Sequence, residues 1–163
     1  MYPIIGNTNQ VIRAQLHVED APTTDSDFVG YTATRIEWRF RPQRDAARDV
    51  CVLRAVHVSL VVTTTLPVWR PAPTPPPSRA LVAEWTQFLD ATERHELGHL
   101  NIARRTAANL YQQLSGLTSP KCETLSATAA STAHALWVAG HDRQLAYDLA
   151  TRHGATQGTT WPP

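Results

Sequence analysis

Hydrophobic and polar residues alternate over two long stretches in the first half of the chain. In Phe28 to Phe40, one face carries Thr32, Thr34, Ile36, Trp38 and Phe40, while charged residues occupy the other face. The stretch from Cys51 to Thr65 is dense in β-branched residues. Both patterns are typical of half-buried strands. We predict that they pair as an antiparallel hairpin, preceded by a short strand over Tyr2 to Ile5.

The second half of the chain changes to a helical period. A first helix is predicted from the N-cap Ser78 to about Ser115, and a second one starts after Pro120 and ends near Arg152. At about 100° per residue, the inward arc of the first helix contains Leu81, Trp85, Phe88, Thr92, Ile102, Thr106, Leu110 and Leu114. Before these helices, six prolines between Pro67 and Pro77 predict a stiff, extended connector.

These elements predict a single α+β domain. A small antiparallel β-sheet of about three strands is expected to pack against two long C-terminal helices. Residues 1–66 are mainly strand, 67–78 form the proline-rich connector, 79–153 form the helices, and 154–163 form an irregular tail. The length of 163 residues with 42% hydrophobic residues suits one compact core. Three tryptophans are predicted to lie in it: Trp38, Trp85 and Trp137.

Composition excludes several classes of protein. No apolar run approaches the roughly 18 residues that a membrane-spanning helix needs, so we expect no membrane insertion. The start of the chain has no basic region followed by an apolar stretch, so no signal peptide is predicted. The net charge of +1 gives no reason to expect a nucleic acid partner. The two cysteines, Cys51 and Cys122, form either one long-range disulfide or two buried thiols.

The first long helix contains the pattern H-E-x-x-H over His95-Glu96-Leu97-Gly98-His99. Residues four apart lie one above the other on a helix, so both imidazoles can bind one Zn²⁺. Glu96 then lies close enough to activate a zinc-bound water as general base. His95 and His99 fall inside the inward arc of the helix, which favours a metal site over a pair of core histidines bonded to backbone or carboxylate.

A catalytic zinc site needs a third protein ligand. The metzincin spacing would place a histidine where this chain has Arg105. We favour His153 as the third ligand, followed by Asp148, which could otherwise orient a ligand. Tyr147 is predicted on the inward face, where it either donates a hydrogen bond to a developing oxyanion or simply packs. Three further candidates lie on the outer face or in the first turn of the second helix: His134, His141 and Glu123.

Several blocks of sequence together point to a known family. They are Tyr2-Pro3-Ile4-Ile5-Gly6, Cys51 at the head of the second long strand, Trp85 ten residues before His95, and the closing block from Tyr147 to Gly158, which reads Y-D-x-x-T-x-H-G-x-x-Q-G. On these residues the chain resembles the bacterial domain-of-unknown-function family described as predicted secreted zinc-dependent proteases. The resemblance covers nearly the whole chain.

The resemblance implies a zinc site with His95, Glu96 and His99, and a functional role for the closing block. It also implies a Cys51–Cys122 disulfide and a secreted or periplasmic location.

We therefore predict a zinc-dependent endopeptidase acting on peptide or protein substrates. One Zn²⁺ per chain is held by His95, His99 and His153, and Glu96 is the general base. The alternative is a non-catalytic secreted binding or structural domain that a zinc site stabilises. The sequence leaves the cleavage preference and the oligomeric state open.

Overall fold

A computed structural model describes residues 1–17 and 29–163 of the chain. Its elements in chain order are β1 (Tyr2–Ile5), α1 (Asn9–Arg13), β2 (Tyr31–Asp45), β3 (Val50–Thr65), β4 (Pro67–Arg70), α2 (Arg79–Gly116), β5 (Thr118–Ser119), α3 (Cys122–Thr151) and a 3₁₀ turn (Ala155–Gln157). The predicted α+β class with two long C-terminal helices is confirmed. The predicted start of the first long strand, Phe28, lies outside the described residues.

The chain divides into two compact units, a division that the hydrophobic pattern does not indicate. The first unit comprises Met1–Ala33, Thr63–Leu100 and Ala146–Pro163, and the second comprises Thr34–Val62 and Asn101–Leu145. The chain therefore crosses from one unit to the other within β2, β3, α2 and α3.

The second unit contains the three-stranded sheet, in the order β2-β3-β5. The core between this sheet and the helices consists of fully or nearly fully buried residues, namely Cys51, Leu53, Leu110, Leu114, Leu125, Ala129 and Ala133. Cys51 and Cys122 form a disulfide across a separation of 71 residues, with their Cα atoms 5.2 Å apart. By the loop-entropy estimate, a cross-link of this span contributes about 4 kcal/mol to the stability of the fold.

The inward face of β3 changes along the strand. Cys51 and Leu53 are buried near its start, whereas Val56 and Val58 pack against the same core further along. The change occurs at Ala55, whose positive φ of 49° shifts the alternation by one position, as a β-bulge does. The β-branched pattern of this stretch predicted one long strand and did not indicate this change.

The first unit contains a parallel pair of strands that the sequence did not predict. β1 pairs with β4, so that Tyr2 lies opposite Pro67 and Ile5 lies opposite Arg70. The proline-rich connector thus begins as a strand. Proline is tolerated there because Pro67 is the first residue of β4, where the missing N–H need not interrupt a ladder.

The core of the first unit is rich in aromatic rings. Trp85 and Phe88 on α2 contact Trp161, with ring centroids 5.8 Å and 5.3 Å away, respectively. The indole N–H of Trp161 donates a hydrogen bond to the carbonyl of Asn9 at 3.1 Å. The tail that was predicted to be irregular therefore carries a short 3₁₀ turn and a buried anchor.

Two details of the helices bear on the predictions. The hydroxyl of Ser78 accepts a hydrogen bond from the backbone N–H of Leu81 at 3.1 Å, which confirms Ser78 as the N-cap of α2. Trp137 is 41% exposed, so its predicted place in the core is wrong. The inward arc of α3 passes through Ala133 and Gly140, and Trp137 lies to one side of it. Within the described residues, neither long helix is apolar enough to cross a membrane.

Candidate metal centre

His95 and His99 lie one turn apart on α2, in the first unit. Both side chains point inward, because the residues that share their arc, such as Phe88 and Thr92, are buried in the core. His95 is 4% exposed and His99 is 9% exposed. Their Nε2 atoms are 3.3 Å apart, and the two rings meet edge to face. The predicted inward orientation of both histidines is confirmed.

Asp148 on α3 brings a carboxylate to the same point. Its Oδ1 lies 2.9 Å from Nε2 of His99 and 3.4 Å from Nε2 of His95. The three side chains form a group whose ligand atoms all lie within 4.8 Å of one another and could hold a metal ion. Oδ1 of Asp148 is buried, and no donor among the described residues points at it with hydrogen-bond geometry.

The spacing of these atoms can be compared with that of a zinc site. Ligand atoms about 2.0–2.1 Å from a tetrahedral Zn²⁺ lie about 3.3 Å from each other. The three separations among Nε2 of His95, Nε2 of His99 and Oδ1 of Asp148 are 3.3, 3.4 and 2.9 Å. A buried carboxylate oxygen facing two imidazole nitrogens without a proper hydrogen bond is the arrangement that a shared cation would complete. The residues fit the metal.

Charges in the group favour an ionised Asp148. Burial by itself would raise the pKa of this carboxyl group, but the facing imidazoles of His95 and His99 outweigh burial and hold the pKa well below its usual range. Asp148 therefore presents a carboxylate, the form that binds metal ions.

Glu96 lies beside this group with a different environment. Its side chain is buried, and burial raises its pKa above the ordinary value, although a hydrogen bond from Thr32 and the neighbouring imidazoles act in the opposite direction. The atom Oε2 has no hydrogen-bond partner in the described part of the chain. On its other side, the backbone of Gly30 approaches so closely that an added Cβ would come within 2.8 Å of Oε1. Glu96 is thus a confined carboxylate with one unused oxygen.

Gln157 and Tyr147 surround the far side of His95. Oε1 of Gln157 lies 3.0 Å from Nδ1 of His95, and Nε2 of Gln157 lies 3.2 Å from the hydroxyl of Tyr147. The Tyr147 hydroxyl is 3.3 Å both from the backbone carbonyl of His95 and from Oε1 of Gln157, and both oxygens can accept its hydrogen bond. The ring of Tyr147 stacks on that of His95, with centroids 5.1 Å apart. The Tyr147 hydroxyl is therefore hydrogen-bonded to residues around His95. The prediction that it donates to a developing oxyanion stays a prediction.

Gly98 allows the approach of Tyr147. A Cβ added at Gly98 would overlap the phenol ring and its hydroxyl oxygen. Only a residue without a side chain leaves room for Tyr147 between α2 and the end of α3.

His153 lies next to the group rather than in it. Its Nδ1 is 3.9 Å from Oδ1 of Asp148, and its side chain is about half exposed. α3 ends at Thr151, and Arg152, His153 and Gly154 all have positive φ. Asp148, the second choice from sequence, thus joins His95 and His99 in the group, whereas the preference for His153 stays a prediction.

The other candidates lie elsewhere. His134 and His141 are exposed on α3, as predicted, and their rings stack on either side of Trp137. Glu123 is exposed in the first turn of α3.

Sequence reasoning assigned no individual role to three residues of the site: Thr32, Gly98 and Gln157. Thr32 was placed on the inward face of its strand, which is a signal that its hydroxyl could reach the helix. Gln157 was identified only as part of the closing block from Tyr147 to Gly158, with no contact predicted for its side chain. Its contact depends on the turn after α3, which periodicity does not describe.

A comparison with protein families finds one match that covers most of the chain. The family described as "Bacterial protein of unknown function (DUF922)" matches residues 1–154. This span contains His95, Glu96, His99 and Asp148. No curated protein and no solved structure matches the chain.

Proposed function

The chain belongs to this bacterial family of unknown function, and from the geometry of the metal centre we propose that it is a zinc-dependent endopeptidase. The observation that carries the proposal is the convergence of His95, His99 and Asp148 beside the buried, partly unsatisfied carboxylate of Glu96. Three protein ligands leave a tetrahedral ion one open position, as in catalytic zinc sites. The location of Glu96 directly after the first histidine supports a role in chemistry at that position.

The bound metal would supply Lewis acidity, which polarises a peptide carbonyl and makes water a better acid. His95, His99 and Asp148 would hold it. Glu96 accepts the proton of the attacking water as the new C–O bond forms, and it then delivers this proton to the peptide nitrogen as the C–N bond breaks. Burial supports this exchange because it raises the pKa of Glu96.

The disulfide supports a place of action outside the cytoplasm. Disulfides persist in oxidising compartments and are rare where thiols are kept reduced. The Cys51–Cys122 bond is compatible with such a location. We propose that the substrates are peptides or proteins in the periplasm or outside the cell.

A second function is favoured by the position of His153. Its Nδ1 lies 3.9 Å from Oδ1 of Asp148, so a modest movement would add a fourth protein ligand. A site closed by four protein ligands has no open position and stabilises a fold without catalysis. In this alternative the protein is a secreted binding or structural domain.

Glu96→Gln tests the proposed function. The variant keeps the shape of the side chain and all three ligands, so we expect zinc content to stay near one per chain. Cleavage of an unfolded protein substrate should fall about 10²- to 10⁴-fold, because the proton acceptor is lost. Elemental analysis and a proteolysis assay measure the two quantities.

Glu93→Gln is the matched control, since Glu93 is exposed on the same helix. It should leave both quantities unchanged. Equal proteolysis by wild type and Glu96→Gln would end the peptidase proposal. A wild type that holds zinc and cleaves nothing would favour the structural alternative.

A further inference from the structure

The two ring nitrogens of His95 face different partners. Nε2 belongs to the candidate metal group, and Nδ1 lies 3.0 Å from Oε1 of Gln157. A neutral imidazole carries one proton, so the partner of one nitrogen decides what the other can do. Gln157 is the partner that the structure gives to Nδ1.

We propose that Gln157 is a positioning residue that fixes the proton of His95 on Nδ1 and leaves the lone pair of Nε2 directed at the metal. The inference rests on the proposed function only for the presence of the metal. It does not require that the protein cleaves peptides.

Hydrogen bonds with His95 and Tyr147 set the orientation of the Gln157 amide. Its NH₂ group donates to the Tyr147 hydroxyl at 3.2 Å, and Nδ1–H of His95 donates to Oε1 of Gln157 at 3.0 Å. The Tyr147 hydroxyl lies 3.3 Å from the carbonyl of His95, and it lies equally far from Oε1 of Gln157, so that its proton has an acceptor in either direction. Each of these donors has an acceptor. With the amide reversed, an NH₂ group would face Nδ1, and the proton of the neutral ring would move to Nε2, towards the ligand group.

The backbone holds Gln157 in place from both sides. Its N–H donates to the carbonyl of Gly154 at 2.8 Å within the 3₁₀ turn. Gly154 and Gly158 flank the turn with φ of 83° and 96°, values that favour glycine. Beyond the turn, Trp161 is buried in the aromatic core. A side chain on such a fixed segment can orient a ligand, because hydrogen bonds to ligating histidines typically improve metal affinity 10- to 100-fold.

The test compares the full-length wild type with Gln157→Leu and Gln157→Glu. Gln157→Leu removes the acceptor, whereas Gln157→Glu keeps an acceptor for Nδ1–H. Nuclear magnetic resonance of ¹⁵N-labelled histidine, in metal-free protein at a pH where the ring is neutral, shows which nitrogen of His95 carries the proton. Competition with a chromophoric chelator gives the dissociation constant for Zn²⁺. Gln113→Leu, at an exposed position on α2, is the matched control.

We expect the proton on Nδ1 in wild type, Gln157→Glu and Gln113→Leu, and a loss of this preference in Gln157→Leu. The zinc dissociation constant should rise about 10- to 100-fold in Gln157→Leu and return to within a few-fold of wild type in Gln157→Glu. A merely structural role would not produce this rescue or move the proton.

Three results would overturn the proposal: a wild-type proton on Nε2, wild-type zinc affinity in Gln157→Leu, or equal losses in both Gln157 variants. If Gln157→Leu does not fold, the proposal is still tested by the position of the His95 proton in wild type and by the zinc affinity of Gln157→Glu. A wild-type proton on Nε2 would overturn it. A wild type with the proton on Nδ1 and no proteolysis would remove the peptidase proposal and leave the role of Gln157 standing.

Discussion

Asp148 lies in the last turn of α3 and His153 follows the end of the helix, so the two side chains are positioned by different backbone conformations. Asp148 is still helical, so its carboxylate projects from α3 at a fixed angle. His153 follows two residues after Thr151, in a run of positive φ values that turns the backbone. Helical periodicity gives the direction of a side chain only inside the helix. For this reason helical periodicity predicted the inward orientation of His95 and His99, whereas the ranking of His153 ahead of Asp148 extended beyond the residues that the periodicity describes.

We predict that Asp148→Asn lowers zinc content far more than His153→Ala does. The amide is a weaker ligand than the carboxylate that faces both imidazoles, whereas His153 stands outside the group. Elemental analysis of each variant, purified without a metal-affinity column, measures zinc per chain. A larger loss of zinc in His153→Ala than in Asp148→Asn would identify His153 as the third ligand. Equal losses of zinc in the two variants would indicate a closed site with four protein ligands.

At the scale of the elements, the Tyr147 ring approaches the backbone of α2 closely at Gly98, where an added Cβ would overlap it. The approach brings the phenol ring onto both histidines, 5.1 Å from the centroid of His95 and 5.0 Å from that of His99. The close packing of Tyr147 on α2 at this point therefore depends on the absence of a side chain at Gly98.

Gly98→Ala should therefore lower stability, although alanine by itself favours a helix by about 1 kcal/mol over glycine. The overlap with Tyr147 is expected to cost about 1–3 kcal/mol of the free energy of unfolding, as overpacked cores do. The zinc dissociation constant should rise as well, because Tyr147 and Gln157 move together. Thermal unfolding and chelator competition measure the two effects.

Gly116→Ala is the control for helix propensity, since a Cβ there meets open space among the described residues. It should stabilise the protein slightly or leave it unchanged. Gly140→Ala, which would overlap Thr106 in the second unit, should lower stability without changing zinc affinity. A Gly98→Ala protein as stable as wild type would show that Tyr147 adapts freely.

At this scale the sequence predicted the long elements and the short strand β1, and it missed the short strands β4 and β5. Both long helices, the hairpin and the N-cap Ser78 follow from periodicity and capping chemistry. β4 was missed because the prolines around it suppress strand signals, yet only Pro67 occupies the strand. The change of inward face at Ala55 was missed because an alanine in a sequence does not indicate a positive φ.

On the scale of the whole molecule, the metal centre joins parts of the chain that are far apart in sequence. His95 and His99 come from α2, Asp148 comes from α3, and Gln157 follows α3. An unfolded chain offers the two histidines but not the complete group. Metal binding free energy is then partly folding free energy.

Removal of zinc by a chelator should therefore lower the melting temperature. At a free zinc concentration 100 times the dissociation constant, the metal stabilises the folded state by about 2.7 kcal/mol. For a protein of this size the loss corresponds to about 5–10 °C. Differential scanning calorimetry before and after chelation measures the shift, and zinc but not magnesium should reverse it. The melting temperature of Asp148→Asn should change little on chelation, because this variant holds little zinc. An equal melting temperature of the wild type with and without zinc would contradict the coupling between metal binding and folding.

Trp161 gives the molecule an optical reporter of its own. Its ring centroid lies 5.8 Å from that of Trp85, and only three residues separate Trp161 from Gln157 in the sequence. Indoles at this distance exchange excitation, so their emission and near-ultraviolet dichroism depend on both rings staying in place. If Trp161 leaves the aromatic core, we expect Gln157 to lose its contact with His95 and the tryptophan emission and dichroism to change at the same time. Trp161→Phe should therefore alter the near-ultraviolet dichroism of the folded protein, and the difference from wild type isolates the signal of this segment from that of the other four tryptophans.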